Sequence, residues 1–298
     1  MKIEPNSFMN MKNIILAAIL LTGYTSSTFA QTATAKVDKV VKAEDAFNKA
    51  VAKKGIKGGF LEFADPDGII FKPNAVKITD FYASIDKQPG TLKWEPKFAR
   101  ISKGGDLAFT AGPYVFQNGK TEDDKVYGEY VSIWRTDVDN KLKLLIDLGI
   151  QHPEPQQRAN VDFKDPDPNK KVSETKDPFS GKQLILNTDK TFNQTLGKSA
   201  MVAYKAFLSP ESRYYFPGFE PFTGTDKILG FLSSQAISIS AETVNGGRSS
   251  SNDLAYTYGK ARITKGKIVS NYNYVRIWEI DANFQWNILL EVFSAIEN

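Results

Sequence analysis

The sequence has 298 residues, 41% hydrophobic and 24% charged, an ordinary soluble globular profile long enough for two cores of roughly 100 to 150 residues each. A formal net charge of +4 without a clustered basic face argues against nucleic-acid binding. With no cysteine and one histidine, disulfides and thiolate chemistry are excluded and a zinc or copper site lacks its ligands; no cofactor and no metal is expected, with an all-oxygen calcium site the alternative left open.

Lys12, the apolar run Ile14 to Leu21 and the small-residue pattern Thr28-Phe29-Ala30 read as a signal peptide, residues 1–30, cleaved after Ala30. The run is too short for the roughly 20 residues that span a bilayer, so an exported, periplasmic or extracellular protein with no membrane span after cleavage is expected. Whether Met1 or Met11 starts the chain stays open. Val37, Val40, Val41, Phe47, Ala50 and Val51 fall mostly three or four apart and predict a helix to Lys54, ended by Gly55, with Lys36, Lys39, Lys42 and Lys49 on its wet face. A short helix over Gly58 to Phe63, a turn at Asp65-Pro66-Asp67-Gly68, a strand Ile69 to Phe71 and a helix Thr79 to Ile85 follow. Strands are then predicted at Leu92 to Ser102, Leu107 to Gln117, Val126 to Thr136 and Leu142 to Ile150. Helices first and hairpin-linked strands after predict an α+β domain with an antiparallel sheet, residues 31–150.

Residues 151–183, with His152-Pro153-Glu154-Pro155, Asp165-Pro166-Asp167-Pro168 and Asp177-Pro178, read as an extended linker. The second domain, 184–298, restarts with a helix from Leu184 or Asp189 to Leu196 and a helix capped by Ser199 through Phe207. Strands follow at Arg213 to Phe216, Ala236 to Val244, Asp253 to Thr264, Lys267 to Ile280 and Gln285 to Phe293, with Asn245-Gly246-Gly247 as a hairpin.

The second half repeats the first. Phe60, Phe63 and Phe71-Lys72-Pro73 recur as Tyr204, Phe207 and Tyr215-Phe216-Pro217, a spacing of 144 residues. Gly105-Asp106-Leu107-Ala108-Phe109-Thr110-Ala111-Gly112 returns as Asn252-Asp253-Leu254-Ala255-Tyr256-Thr257-Tyr258-Gly259, Tyr130 to Trp134 as Tyr274 to Trp278, and Leu144 to Asp147 as Ile288 to Glu291. So long a period means two whole domains, since solenoid repeats run about 20 to 50 residues.

The run from Gly105 to Gly112, then Tyr130-Val131-Ser132-Ile133-Trp134-Arg135, then Lys143 to Leu148 resembles the "GDLGYTxG … YxxxWR … WKxxxD" pattern of secreted nuclear transport factor 2-like domains, of the SnoaL-like polyketide cyclase and ketosteroid isomerase superfamily. The second copy departs from it, with Asn252 for the glycine, Glu279 for the arginine and Glu291 for the aspartate. The resemblance implies two cone-shaped, cystatin-like domains, each with N-terminal helices wrapped by a curved antiparallel sheet, whose open ends commonly form an apolar pocket. Members include isomerases, dehydratases, cyclases and non-catalytic binders, so fold leaves function open.

Asp147 is the foremost candidate for chemistry. A carboxylate in the apolar strand Leu144 to Leu148 can be desolvated and its pKa raised toward a general acid or base, with Tyr130 beside it and Glu291 at the matching place in the second domain. Alternatively Asp147 faces solvent, or pairs with Arg135 or Lys143. Trp94, Tyr114 and Trp134, with Tyr256, Tyr274 and Trp278, are the candidate ligand-binding aromatics; core filling is the rival reading. Asp106 and Asp253 suit caps of hairpin turns. The expected function is binding of a small apolar molecule or a partner protein through the open cones; the alternative is a cofactor-independent isomerase or lyase using Asp147, and the two domains can pair within the chain.

Overall fold

The computed structural model describes residues 34–169 and 178–296. The expected signal segment, 1–30, and the middle of the expected linker, 170–177, lie outside the described residues. The rest belongs to one compact unit.

In the first half, α1 (Asp38–Phe63) leads into β1 (Ala64–Phe71), β2 (Ala75–Lys77) and α2 (Ile78–Ala83). Five strands follow, β3 (Thr91–Trp94), β4 (Phe98–Ile101), β5 (Leu107–Gln117), β6 (Lys125–Thr136) and β7 (Leu142–His152), then the short β8 (Asp162–Lys164). The second half runs α3 (Pro178–Leu196), α4 (Ala200–Phe207), β9 (Leu208–Tyr215), β10 (Phe222–Thr223) and α5 (Thr225–Gln235). It ends with β11 (Ser238–Arg248), β12 (Leu254–Lys265), β13 (Ile268–Ile280) and β14 (Trp286–Ala295).

Helix α1 buries Val40, Glu44, Phe47 and Val51, one stripe at helical spacing. Gly55, at φ 77 and ψ 170, breaks it as expected, and Gly59 then lies so close to the Val51 backbone that a Cβ there would overlap it.

The strand orders match, β2-β1-β7-β6-β5-β4-β8 and β10-β9-β14-β13-β12-β11. Long neighbours are antiparallel, but each sheet is mixed: β1 joins β7, and β9 joins β14, in parallel. The expected antiparallel sheet is present in the long hairpin strands; the parallel pair is added because the strand leaving the helices meets the last strand across a connection as long as the domain.

Several boundaries also differ. Asp65 to Gly68 is no turn but a bulge within β1, the register shifting between Ala64 and Ile69. The predicted strand Leu92 to Ser102 is split, since Pro96 lacks a ladder donor; Glu95 N and Lys97 N still reach β5 at Pro113 O and Ala111 O. Asn245-Gly246-Gly247 lies inside β11, and the chain reverses instead at residues 249–252. The expected linker carries regular structure at both ends: β8 adds in parallel to β4, and α3 starts at Pro178. Helix α5 is additional to the predicted elements, although Ile228, Phe231 and Leu232 bury at i, i+3, i+4 spacing.

Each sheet wraps its own helices, with one core around Phe47, Phe60, Trp94 and Trp134 and another around Phe192, Tyr204, Tyr214 and Trp278. The outer faces of the sheets then pack back to back, Val131, Ile133 and Leu148 sharing a cluster with Val275, Ile277 and Val292. Strand alternation requires this: residues between those facing the helices are apolar too, and need a second cover.

The turns at one end of the seam are exchanged. Asp106 Oδ2 accepts from Ser250 N at 2.7 Å and Asp253 Oδ2 from Lys103 N at 2.7 Å, while Gly104 N donates to Ser251 Oγ at 2.9 Å. The expected caps exist, but each aspartate caps the other copy's turn.

Candidate functional site

The interior of the second cone is closed by a buried ionic network. Asp189, on α3, and Glu291, on β14, are both 0% exposed, as is Arg276 between them. Arg276 Nη1 donates to Asp189 Oδ1 at 2.7 Å and to Asn193 Oδ1 at 2.7 Å, and its Nε donates to Glu291 Oε1 at 2.6 Å. Tyr204 OH donates to Glu291 Oε2 at 2.6 Å and Tyr274 OH to Asp189 Oδ2 at 2.6 Å. The guanidinium carbon lies 3.9 Å from the centroid of Tyr274 and 4.4 Å from that of Phe192. Burial raises the pKa of Glu291 against the pull of Arg276; on Arg276 burial works downward, but Glu291 and Asp189 outweigh it and the guanidinium stays charged. This arrangement holds the second cone together and seals both carboxylates from water, with Arg276 Nη2 left unpaired in the interior among the described residues.

The first cone is built on the same frame with different contents. Glu44 on α1 takes the place of Asp189, Thr110 that of Thr257 and Trp134 that of Trp278. Glu44 accepts from Trp94 Nε1 at 2.5 Å, from Trp134 Nε1 at 2.9 Å and from the Thr110 hydroxyl. Burial pushes it up to about 7, the hydrogen bonds from Thr110 and Trp94 opposing and Asp147 assisting.

Asp147 pairs with Ser132 in the ladder as Glu291 pairs with Arg276, and on the same inner face. Its Oδ2 accepts from Ser132 Oγ at 2.8 Å. Unlike Glu291, it is partly exposed. Burial raises it to about 6, opposed by Ser132 and by Lys72 at the rim. Asp147 in turn acts on Tyr82, Tyr114 and Tyr130, whose phenols are all raised, first by burial; Tyr114 reaches about 12. The inward orientation beside tyrosines sets aside the solvent-facing alternative. The partners suggested for Asp147 are engaged elsewhere: Arg135 binds Asp65, and Lys143 Nζ donates to Glu62 O at 3.2 Å.

No protein-family model matches the sequence, and no curated protein sequence matches it. Among solved structures the chain is similar to a ketosteroid isomerase-like protein from Erwinia carotovora atroseptica, at 15% identity over 39% of this chain and 96% of that one, with a TM-score of 0.35. It is similar also to an NTF2-like protein from Cytophaga hutchinsonii, at 15% identity over 38% and 97%, TM-score 0.33. A third is an LEH-like epoxide hydrolase from M. tuberculosis, at 14% identity over 38% and 79%, TM-score 0.32. These likenesses concern fold. What decides the architecture is the twice-repeated order of helices and strands, each sheet wrapped around its own helices. Each half has a nuclear transport factor 2-like fold.

Within the first cone, Trp94, Tyr114 and Tyr130 stand at or near the carboxylates. Trp134 is 0% exposed and serves the core, and Trp278 does the same in the second cone, donating to Thr257 Oγ1 at 2.8 Å. Tyr274 is committed to the ionic network. Tyr256 lies outside the second cone: it packs at the seam between the sheets, because its strand position points away from the helices. Among the described residues no group of three or more His, Cys, Asp or Glu side chains converges as a metal site would.

The sequence reading missed Glu44 and Asp189. The signal was present: Glu44, Phe47 and Asn48 recur as Asp189, Phe192 and Asn193, an acidic residue followed by Phe-Asn at fixed spacing. An acidic residue in a lysine-rich helix passes for part of the wet face until the helix phase is known.

Proposed function

We propose that the first cone is the working site of an exported protein, taking a small, largely apolar molecule with Asp147 as its polar anchor, and that the second cone is a closed structural partner. The observation that carries this is the contrast between the matched carboxylates: Glu291 is sealed under Arg276, whereas Asp147 is inward, partly exposed and bordered by tyrosines. The interior also differs at its mouth. Tyr272 and Phe293 of the second cone are replaced at equivalent ladder positions by Gly128 and Gly149, over which the Tyr114 ring lies. Export rests on the charged, apolar and small-residue pattern of residues 1–30.

Titration with the neutral apolar dye Nile red tests the reading. Saturable binding is expected in the wild type, with at least a tenfold loss in Ser132→Arg, which closes the first cone as Arg276 closes the second. Equal binding by that variant would remove the first cone as the site. A second reading, general acid-base chemistry by Asp147, is favoured by its pKa of about 6 among phenols. Asp147→Asn would then abolish turnover of a retained ligand, identified by native mass spectrometry, while leaving its binding within a few-fold.

A further inference from the structure

We infer that the molecule taken by the first cone carries one cationic nitrogen, an ammonium, amidinium or guanidinium, which pairs with Asp147 where the second cone holds the guanidinium of Arg276. This deepens the reading of the first cone as the working site and rests on it.

The two copies serve as a comparison within one chain. In the second, the sheet carboxylate Glu291 has a guanidinium at 2.6 Å, held under the ring of Tyr274. In the first, the carboxylate and the ring are both kept, as Asp147 and Tyr130, but the residue that carried the cation is Ser132. The helix carboxylate is compensated otherwise, since Trp94 Nε1 donates to Glu44 much as Arg276 donates to Asp189. Asp147 is not: among the described residues it accepts from Ser132, and no cation lies within ion-pairing distance.

A second, independent observation points to a donor that is brought in. The Tyr130 side chain is 6% exposed, and its hydroxyl makes no hydrogen bond among the described residues. It sits beside Thr110, whose own proton goes to Glu44, and within the field of Glu44 and Asp147. The matching hydroxyl of Tyr274 is satisfied by Asp189. An unpaired buried phenol oxygen and a carboxylate with spare lone pairs are two acceptors facing one place, and a cationic N–H group satisfies both. Aromatic walls add cation–π attraction, as the second cone already shows with its own guanidinium.

The experiment compares two molecules of nearly one shape, benzamidine, cationic over the range used, and benzamide, neutral, by isothermal titration calorimetry at pH 8 on the whole protein. Benzamidine is expected to bind at least tenfold more tightly, with that preference lost in Asp147→Asn and blocked in Ser132→Arg, which supplies an internal cation. Should Asp147→Asn fail to fold, the Ser132→Arg comparison decides alone. The preference should also fall as pH drops from 8 to 5 and the acids protonate; the groups facing Asp147 are Glu44, the neutral phenols Tyr82, Tyr114 and Tyr130, and Lys72 at the rim. Equal affinity for the two molecules, with Nile red still bound and still displaced by Ser132→Arg, overturns the cation and leaves the cone as a site. Loss of Nile red binding as well overturns both.

Discussion

Arg276, Asp189 and Glu291 are sealed from water together, and in so low a dielectric each is costly without the others. Arg276→Met should therefore destabilise the protein by about 3–5 kcal/mol, measured by urea unfolding at pH 7, because it strands two buried carboxylates. Asp147→Asn, which keeps shape and the Ser132 contact, should cost less than about 1 kcal/mol. Glu44 behaves differently with pH. Its pKa is raised from 4.5 to about 7 on folding, so the native state holds the proton more tightly than the unfolded chain. Stability is then greatest below about pH 4.5 for this group and declines as pH rises to about 7, by a few kcal/mol at most. Glu44→Gln should flatten that decline in unfolding measurements between pH 4.5 and 8. An unchanged slope would mean that Glu44 stays ionised on its three donors.

At the scale of elements, Gly55 lets α1 break and fold back onto Val51. A Cβ at Gly55 meets nothing within 4 Å, so Gly55→Ala isolates backbone strain at φ 77 and ψ 170. A loss of about 1–3 kcal/mol is expected in chemical unfolding, with the fold retained. This break was legible, as were the three long strands of the first sheet and the four of the second, because period-2 alternation and turn residues bound them. Asp65 to Gly68 and Asn245 to Gly247 were misread for one reason: Pro and Gly mark bulges as well as turns, and which occurs depends on a neighbouring strand that local sequence does not reveal. Helix α5 had its apolar spacing in plain view, yet its short stripe lies among aromatics that suit a strand equally well.

For the whole molecule, the shared cluster between the sheets and the exchanged turns tie the copies into one unit. Across the seam Arg100 Nη2 also donates to Glu211 Oε2 at 3.1 Å, and Asn273 Nδ2 to Pro73 O at 2.6 Å. Differential scanning calorimetry should show a single cooperative transition. The double variant Asp106→Ala, Asp253→Ala removes both turn caps and should lower stability by about 2–4 kcal/mol, taking roughly 1–2 kcal/mol for each lost charge-assisted bond. Two resolved transitions in the wild type would show that the halves unfold independently.

Duplication, the helices-then-strands order and the matched positions of Asp147 and Glu291 were determined by the sequence, because they rest on repeats and periodicities that survive without contacts. The tertiary structure alone decided that the two carboxylates differ in burial and in partner. That difference depends on what stands across the ladder, Ser132 or Arg276, and on helix residues, Glu44 or Asp189, brought there from far along the chain. A buried ionic lock and an open carboxylate have the same signature along a strand; only packing tells which one water can reach.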